Sequence, residues 1–177
     1  MHVPLDAPMM QARQQTWSAP AGIAAAALAS GTARDRRPDH TFGDAPSVEN
    51  FEALRAAYRS NGGMVRADEL ARALQHKQRG DFVGLARNIA SGLILGFEWQ
   101  GSFWIPLFQF ERMELTLNQG ARQVLAELAG VIDGWALAVW FVQPSSWLRG
   151  QLPLDLLRCN LQSVLAAARA DRFVADG

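Results

Sequence analysis

The sequence predicts a mainly α-helical fold: a helix-turn-helix-like module with a β-hairpin, followed by a small helical domain. Three observations carry this. Apolar residues recur at helical spacing behind good N-cap residues, Ser47, Asp81, Asn118, Asp133 and Asn160. The period changes once, over residues 93–110, where two aromatic-rich runs flank Gln100-Gly101. The apolar fraction, 49% of 177 residues, is enough for a core. The chain divides into an expected disordered arm (1–46), a helical module with a β-hairpin wing (47–110) and a second helical domain (111–177).

The arm holds five of the eight prolines and keeps no sustained apolar period. Its alanine-rich stretch from Gly22 to Ser30 mimics an export signal, but it follows Pro20 and a long polar start, so a cytoplasmic protein is expected. No apolar run approaches the length of a membrane span.

Ser47 caps a helix expected over 48–60, with Phe51, Leu54 and Tyr58 on one stripe and Asn61-Gly62-Gly63 as its stop. A second helix, 66–76, buries Leu70 and Leu74 with Ala67 and Ala71 beside them. A third, 82–91, starts at Asp81 and is expected to bury Phe82, Leu85, Ala86 and Ile89. Two strands follow, 93–99 and 102–110. Pro106 has no N–H to give a ladder, which assigns it to an edge or a bulge. In the second half Asn118 caps a helix to Leu128, and Asp133 caps a very apolar core helix, 134–142, ended by Pro144. Residues 145–152 form a loop, Pro153 opens a helical turn to Arg158, and a last helix, 161–170, leaves 171–177 as a tail.

Seventeen basic and seventeen acidic residues give no net charge, which excludes a polybasic nucleic-acid coat. One cysteine and three scattered histidines exclude an internal disulfide and a zinc site; no metal or cofactor is expected. No catalytic constellation stands out. Asp155 suits a helix dipole better than acid–base work. Ser145 and Ser146 lack a nucleophile context, and Cys159 reads as a structural thiol.

Two helices and a hairpin outline a winged helix-turn-helix. Arg79 and Arg87 could reach phosphates and Asn88 a base edge. Against this, the reading helix opens with Asp81-Phe82-Val83-Gly84, which suits packing or dimerisation better than a groove. Trp99, Phe103, Trp104 and Phe108 are either a base-stacking platform or, better, hairpin core or a dimer contact.

Three segments resemble a known family: Gln109-Phe110; Trp140-Phe141-Val142-Gln143-Pro144-Ser145-Ser146-Trp147-Leu148-Arg149-Gly150-Gln151-Leu152-Pro153-Leu154-Asp155-Leu156-Leu157; and Val164-Leu165-Ala166-Ala167-Ala168. They look like the toxin-binding domain of the Xre/MbcA/ParS antitoxins, over roughly 105–173. The chain departs from the family at Ser145, Gln151, Leu152 and Cys159-Asn160. The resemblance implies a small helical toxin-binding domain, a homodimer, and a cognate toxin as partner, often a RES-type NAD-degrading enzyme whose active site the antitoxin's C-terminal end can plug. Many such proteins also bind their own promoter.

The expected function is therefore a non-enzymatic, antitoxin-like protein, with a DNA-binding regulator as the alternative. Trp147 and Arg149 are the side-chain types that anchor interfaces. With Gly150, Pro153 and Asp155 of the loop and turn, and Arg169, Arg172 and Phe173 near the end, they form the expected partner-binding surface. The competing reading puts Trp147 in the core and makes Phe173 a cap on the last helix.

Overall fold

The computed structural model describes residues 47–176; the arm expected over 1–46 lies outside them. The fold is mainly helical with a small three-stranded antiparallel sheet. Its helices are α1 (Val48–Ala57), α2 (Ala67–His76), α3 (Phe82–Ala90), α4 (Gln119–Leu128), α5 (Gly134–Val142), α6 (Pro153–Leu156) and α7 (Leu161–Asp176). The strands are β1 (Met64–Arg66), β2 (Phe97–Trp99) and β3 (Ser102–Pro106).

The caps work as their chemistry requires. Side-chain oxygens of Ser47, Asp81, Asn118 and Asp133 accept from the N–H groups of Asn50, Gly84, Ala121 and Ala136. Several boundaries differ from expectation. α1 stops at Ala57 and tightens into a 3₁₀ turn, Arg59–Asn61, before Gly62 at φ 100°. The hairpin strands are short, and Leu107–Gln109 is a 3₁₀ turn. Both turn residues, Gln100 and Gly101, have positive φ, which matches the twist of a two-residue hairpin. α7 contains no glycine or proline and runs on to Asp176, so residues 171–176 are helix and not a tail.

β1 was not expected. It pairs with β3 in the register Val65↔Ile105, and β3 pairs with β2 on its other side, Glu98↔Phe103, giving the order β1-β3-β2. Pro106 therefore sits on the central strand, not an edge; it is the last residue of β3, where the ladder ends against Met64 and the N–H of Leu107 takes up the carbonyl of Gly63.

Two hydrophobic clusters meet along residues 94–110. One gathers α1, β2, α4, α5, α6 and α7, with Phe51, Leu54 and Tyr58 buried beside Leu125, Phe141 and Val164. The other gathers α2, α3 and the sheet, with Leu70, Leu74, Leu85 and Ile105 buried. Trp99 stacks on Phe51 with centroids 3.7 Å apart, and Trp104 meets the same ring edge-on at 5.0 Å. The hairpin aromatics are thus occupied by the protein's own core.

Two buried polar groups join these parts. The Tyr58 hydroxyl donates to the Ala138 carbonyl at 2.6 Å, tying α1 to α5. Gln109, fully buried, accepts from the Leu95 N–H and donates to the carbonyls of Leu95 and Pro106, all at 2.8 Å.

Gln109→Leu keeps the volume and leaves those three backbone groups without a partner. It should cost about 3 kcal/mol in urea denaturation, with an unchanged slope. Burial pushes the Tyr58 phenol well above its ordinary value of 10.0. Tyr58 is the only tyrosine. Its raised folded-state pKa leaves stability intact below the unfolded-state value and removes it as pH climbs above. Unfolding free energy should therefore fall by up to about 1.4 kcal/mol per pH unit beyond roughly pH 10. Tyr58→Phe should abolish that fall, read against phenolate absorbance.

Candidate partner-binding site

Pro144 cannot continue α5, and the chain turns sharply after it. The Ser145 carbonyl accepts from the N–H groups of Leu148 and Gly150, and the Ser145 N–H donates to the Gln151 carbonyl. Arg149 and Gly150 both take left-handed conformations to close the turn, φ 56° and 80°. The intervening 3₁₀ turn, Ser146–Leu148, buries Leu148 and exposes Trp147, which is 56% accessible. Trp147 is therefore a surface residue, not a core one.

α7 packs its Val164, Leu165, Ala167 and Ala168 face against Val124, Leu125 and Leu128 of α4. Arg169 crosses to Glu127 of α4 at 2.8 Å, 60% exposed, so the pair adds little to stability. One turn further on, Asp171 continues the buried stripe. Its two carboxylate oxygens each accept an indole N–H: Trp140 of α5 at 2.7 Å and Trp147 of the turn at 2.8 Å. This clamp joins the 145–151 loop, α5 and α7.

Sequence reasoning missed Asp171. The signal was its place three and four residues beyond Ala168 and Ala167. A carboxylate on an inward stripe needs donors, and exposed-face tryptophans are ready ones.

Beyond the clamp, the last turn of α7 carries Phe173 and Val174, 80% and 68% accessible. Val174 follows Asp171 on the same side of α7, and Phe173 lies across the helix from it. Phe173 is thus not buried against the last helix as a cap.

The other expected residues fall into two groups. Arg149, Gly150, Asp155 and Arg172 are exposed. Pro153 is not part of the surface: it is fully buried, its ring opening α6 beneath the loop. Its rigid φ and missing N–H suit the first helical position, and that position faces the core.

The residues considered for DNA are less favourably placed. Arg79 is ion-paired with Glu114. Asn88 is partly buried, and its carbonyl accepts from Leu93, Ile94 and the Ser91 hydroxyl. Arg87 is exposed. Phe82, expected in the core, is 46% accessible, and Val83 is 61% accessible. The first turn of α3 points these two outward because Leu85 takes the inward place against Leu70 and Leu74.

Among the described residues no group of three or more His, Cys, Asp or Glu could hold a metal ion, and no helix is long and apolar enough to cross a membrane. No protein-family model, curated protein or solved structure matches the chain.

Asp171→Ala should cost about 2 kcal/mol, the loss of two hydrogen bonds to a charged acceptor, one of them exposed. In a proton–nitrogen NMR spectrum the indole signals of Trp140 and Trp147 should both move while the other indoles stay. Unmoved signals for both would show that the clamp is not formed in solution.

Proposed function

We propose that this protein is an antitoxin-like binding protein, without enzymatic activity of its own, that captures a cognate toxin with the 145–151 loop and the end of α7. The observation that carries the reading is Trp147: a large ring left in solvent, yet held in one orientation by Asp171, next to a helix end with two further exposed apolar side chains. The hydrogen bond ties the loop to α7, but the solvent-facing part of the ring gains the monomer no burial. A binding surface gains from it, since an aromatic anchor already fixed loses less entropy on docking.

The shape of the surface indicates the partner. Phe173 and Val174 are consecutive, about 100° apart around α7, so a partner that wraps the helix end covers both more fully than a flat one. A cleft that receives the helix end would cover both, in the manner of helix-in-groove recognition. Arg149, exposed in the loop, suits a carboxylate on the rim of such a cleft. The family resemblance of residues 105–173 suggests a RES-type NAD-degrading toxin as the owner of the cleft and a homodimer as the antitoxin's state.

A second reading is a DNA-binding regulator. The order α1-β1-α2-α3-β2-β3, with β3 in the middle of the sheet, is the topology of winged helix-turn-helix domains. The outward face of α3 argues against it, for it carries Phe82, Val83, Ala86 and Ala90 with Arg87 as its one cation.

Phe173→Asp should leave the melting temperature within about 3 °C of wild type, as surface changes do, and Trp147→Ala, which breaks one arm of the clamp, should destabilise less than Asp171→Ala, which breaks both. Each should weaken binding to the neighbouring-gene product by about thirtyfold or more, the scale of a hot-spot loss. Protection from that toxin equal to wild type in both variants would sink the proposal. Salt-dependent retention of promoter DNA, lost in Arg87→Ala, would instead favour the regulator.

A further inference from the structure

We infer that the groove between the α1–β1 turn and the 111–117 loop is a binding site for a small organic oxyanion, a carboxylate or phosphate borne on an apolar body. The groove has a volume of about 340 Å³ and is lined by Arg59, Gly62, Leu107, Phe110, Arg112 and Leu115. That volume falls at the lower end of the range for small-molecule sites, roughly 300–1,000 Å³. It shares no residue with the surface around Trp147, so the two assignments stand or fall separately.

Charge identifies the class of ligand. Two guanidinium groups line the groove and no carboxylate does. Arg59 has no hydrogen-bond or ion-pair partner among the described residues. Arg112 makes one long hydrogen bond, to the Ser60 carbonyl at 3.3 Å, and keeps its remaining donors. The acidic residues of the same loop are engaged elsewhere: Glu111 accepts from the Asn118 amide and Glu114 pairs with Arg79. Guanidinium forks with free donors match carboxylate and phosphate oxygens. The rest of the lining, Leu107, Phe110 and Leu115, is apolar and suits the body of the ligand.

The backbone is shaped for the groove at some cost. Gly62, at φ 100°, passes so close to Leu107 that a Cβ there would lie 3.3 Å from the leucine's own. Leu115, a bulky residue, is held at φ 53° in the left-handed region, which costs of order 1 kcal/mol or more. The hydrogen bonds from Leu115 N–H to the Glu111 carbonyl and from Glu111 N–H to the Thr116 carbonyl, both 2.8 Å, fix it there. Lys77 adds a third tie, from its ammonium to the Met113 carbonyl at 2.9 Å. The loop is therefore preformed, with its own Arg112 and, from the α1–β1 turn, Arg59 both lining the groove.

Phenyl phosphate, benzoate, inorganic phosphate and phenol, titrated into the full chain and followed by amide NMR, test the assignment. Phenyl phosphate or benzoate should shift the Gly62 and Leu115 amides saturably and bind at least about tenfold tighter than inorganic phosphate or phenol, because both halves of the site are then used. The tighter of the two names the head group. Arg59→Gln, which removes no side-chain hydrogen bond or ion pair among the described residues, should weaken binding about tenfold, and Arg59→Lys less. Arg112→Gln should act likewise if its amide spectrum shows the loop unchanged. Binding no tighter than that of inorganic phosphate, or binding indifferent to Arg59→Gln, would overturn the assignment.

Discussion

One carboxamide holds the architecture in register. Residues 93–96 leave α3 and approach β2 without forming a ladder of their own, so the buried backbone of Leu95 needs partners that no strand supplies. Gln109 provides them. Its amide closes both polar groups of Leu95 and takes the Pro106 carbonyl as well, while its own backbone carbonyl receives the Asn118 N–H that starts α4. A side chain thereby acts as one more rung of sheet, in a place where Pro106 offers a carbonyl but no N–H. An amide fully out of water is tolerable only because it is fully satisfied.

That rung lies where the two hydrophobic clusters touch. Leu95 and Phe108 face the cluster of α1, α4, α5, α6 and α7; Ile94 and Phe110 face the cluster of α2 and α3. Alternation along the chain sends neighbouring side chains into different cores. The helices on either side are consequently not independent in energy. α1 belongs to the first half of the chain, yet its Phe51 and Leu54 side chains and the hydroxyl of its C-cap residue Tyr58 belong to the core of the later helices. Gly134 reinforces this: it opens α5 directly against the Gly96 carbonyl, where any Cβ would collide with backbone. The chain thus packs its two hydrophobic clusters back to back through one shared segment.

What the sequence disclosed was local. Ser47, Asp81, Asn118 and Asp133 announce helix starts through a chemistry completed within three residues, and the leucine spacing of α2 and α4 announces their inner faces. What it concealed depends on distance. β1 is three residues long and exists because β3 lies beside it, some forty positions away in sequence; nothing in Met64-Val65-Arg66 demands a strand. The Asp171 clamp spans 24 and 31 positions, and Gln109 reads as an ordinary polar residue until Leu95 is placed next to it. The groove under the 111–117 loop is hidden for a further reason. Its shape depends on Leu115 adopting a backbone conformation that leucine disfavours, so propensity points away from it. The extension of α7 was different: residues 171–176 contain no breaker, and their helical state was readable.

Topology and surface chemistry give different answers about this molecule, and surface chemistry is the better guide. Under the DNA-binding reading α3 would be the helix that enters a groove, but a fold only offers places where function can be built. Binding to DNA releases counterions in proportion to the phosphates neutralised. α3 brings one exposed cation to that task, flanked by Phe82 and Val83, and Arg79 is already compensated by Glu114. An apolar face in the position of a reading helix would lose the solvation of the phosphates it displaced and recover little. Around Trp147 the reverse holds. The carboxylate of Asp171 is engaged by two indole N–H donors, Arg169 is matched by Glu127, and Trp147, Phe173 and Val174 stay outward beside the exposed Arg149 and Asp155. Exposed aromatic and aliphatic groups gain more from meeting another protein than from meeting water, which supports the proposed binding surface at the end of α7 over one on the wing.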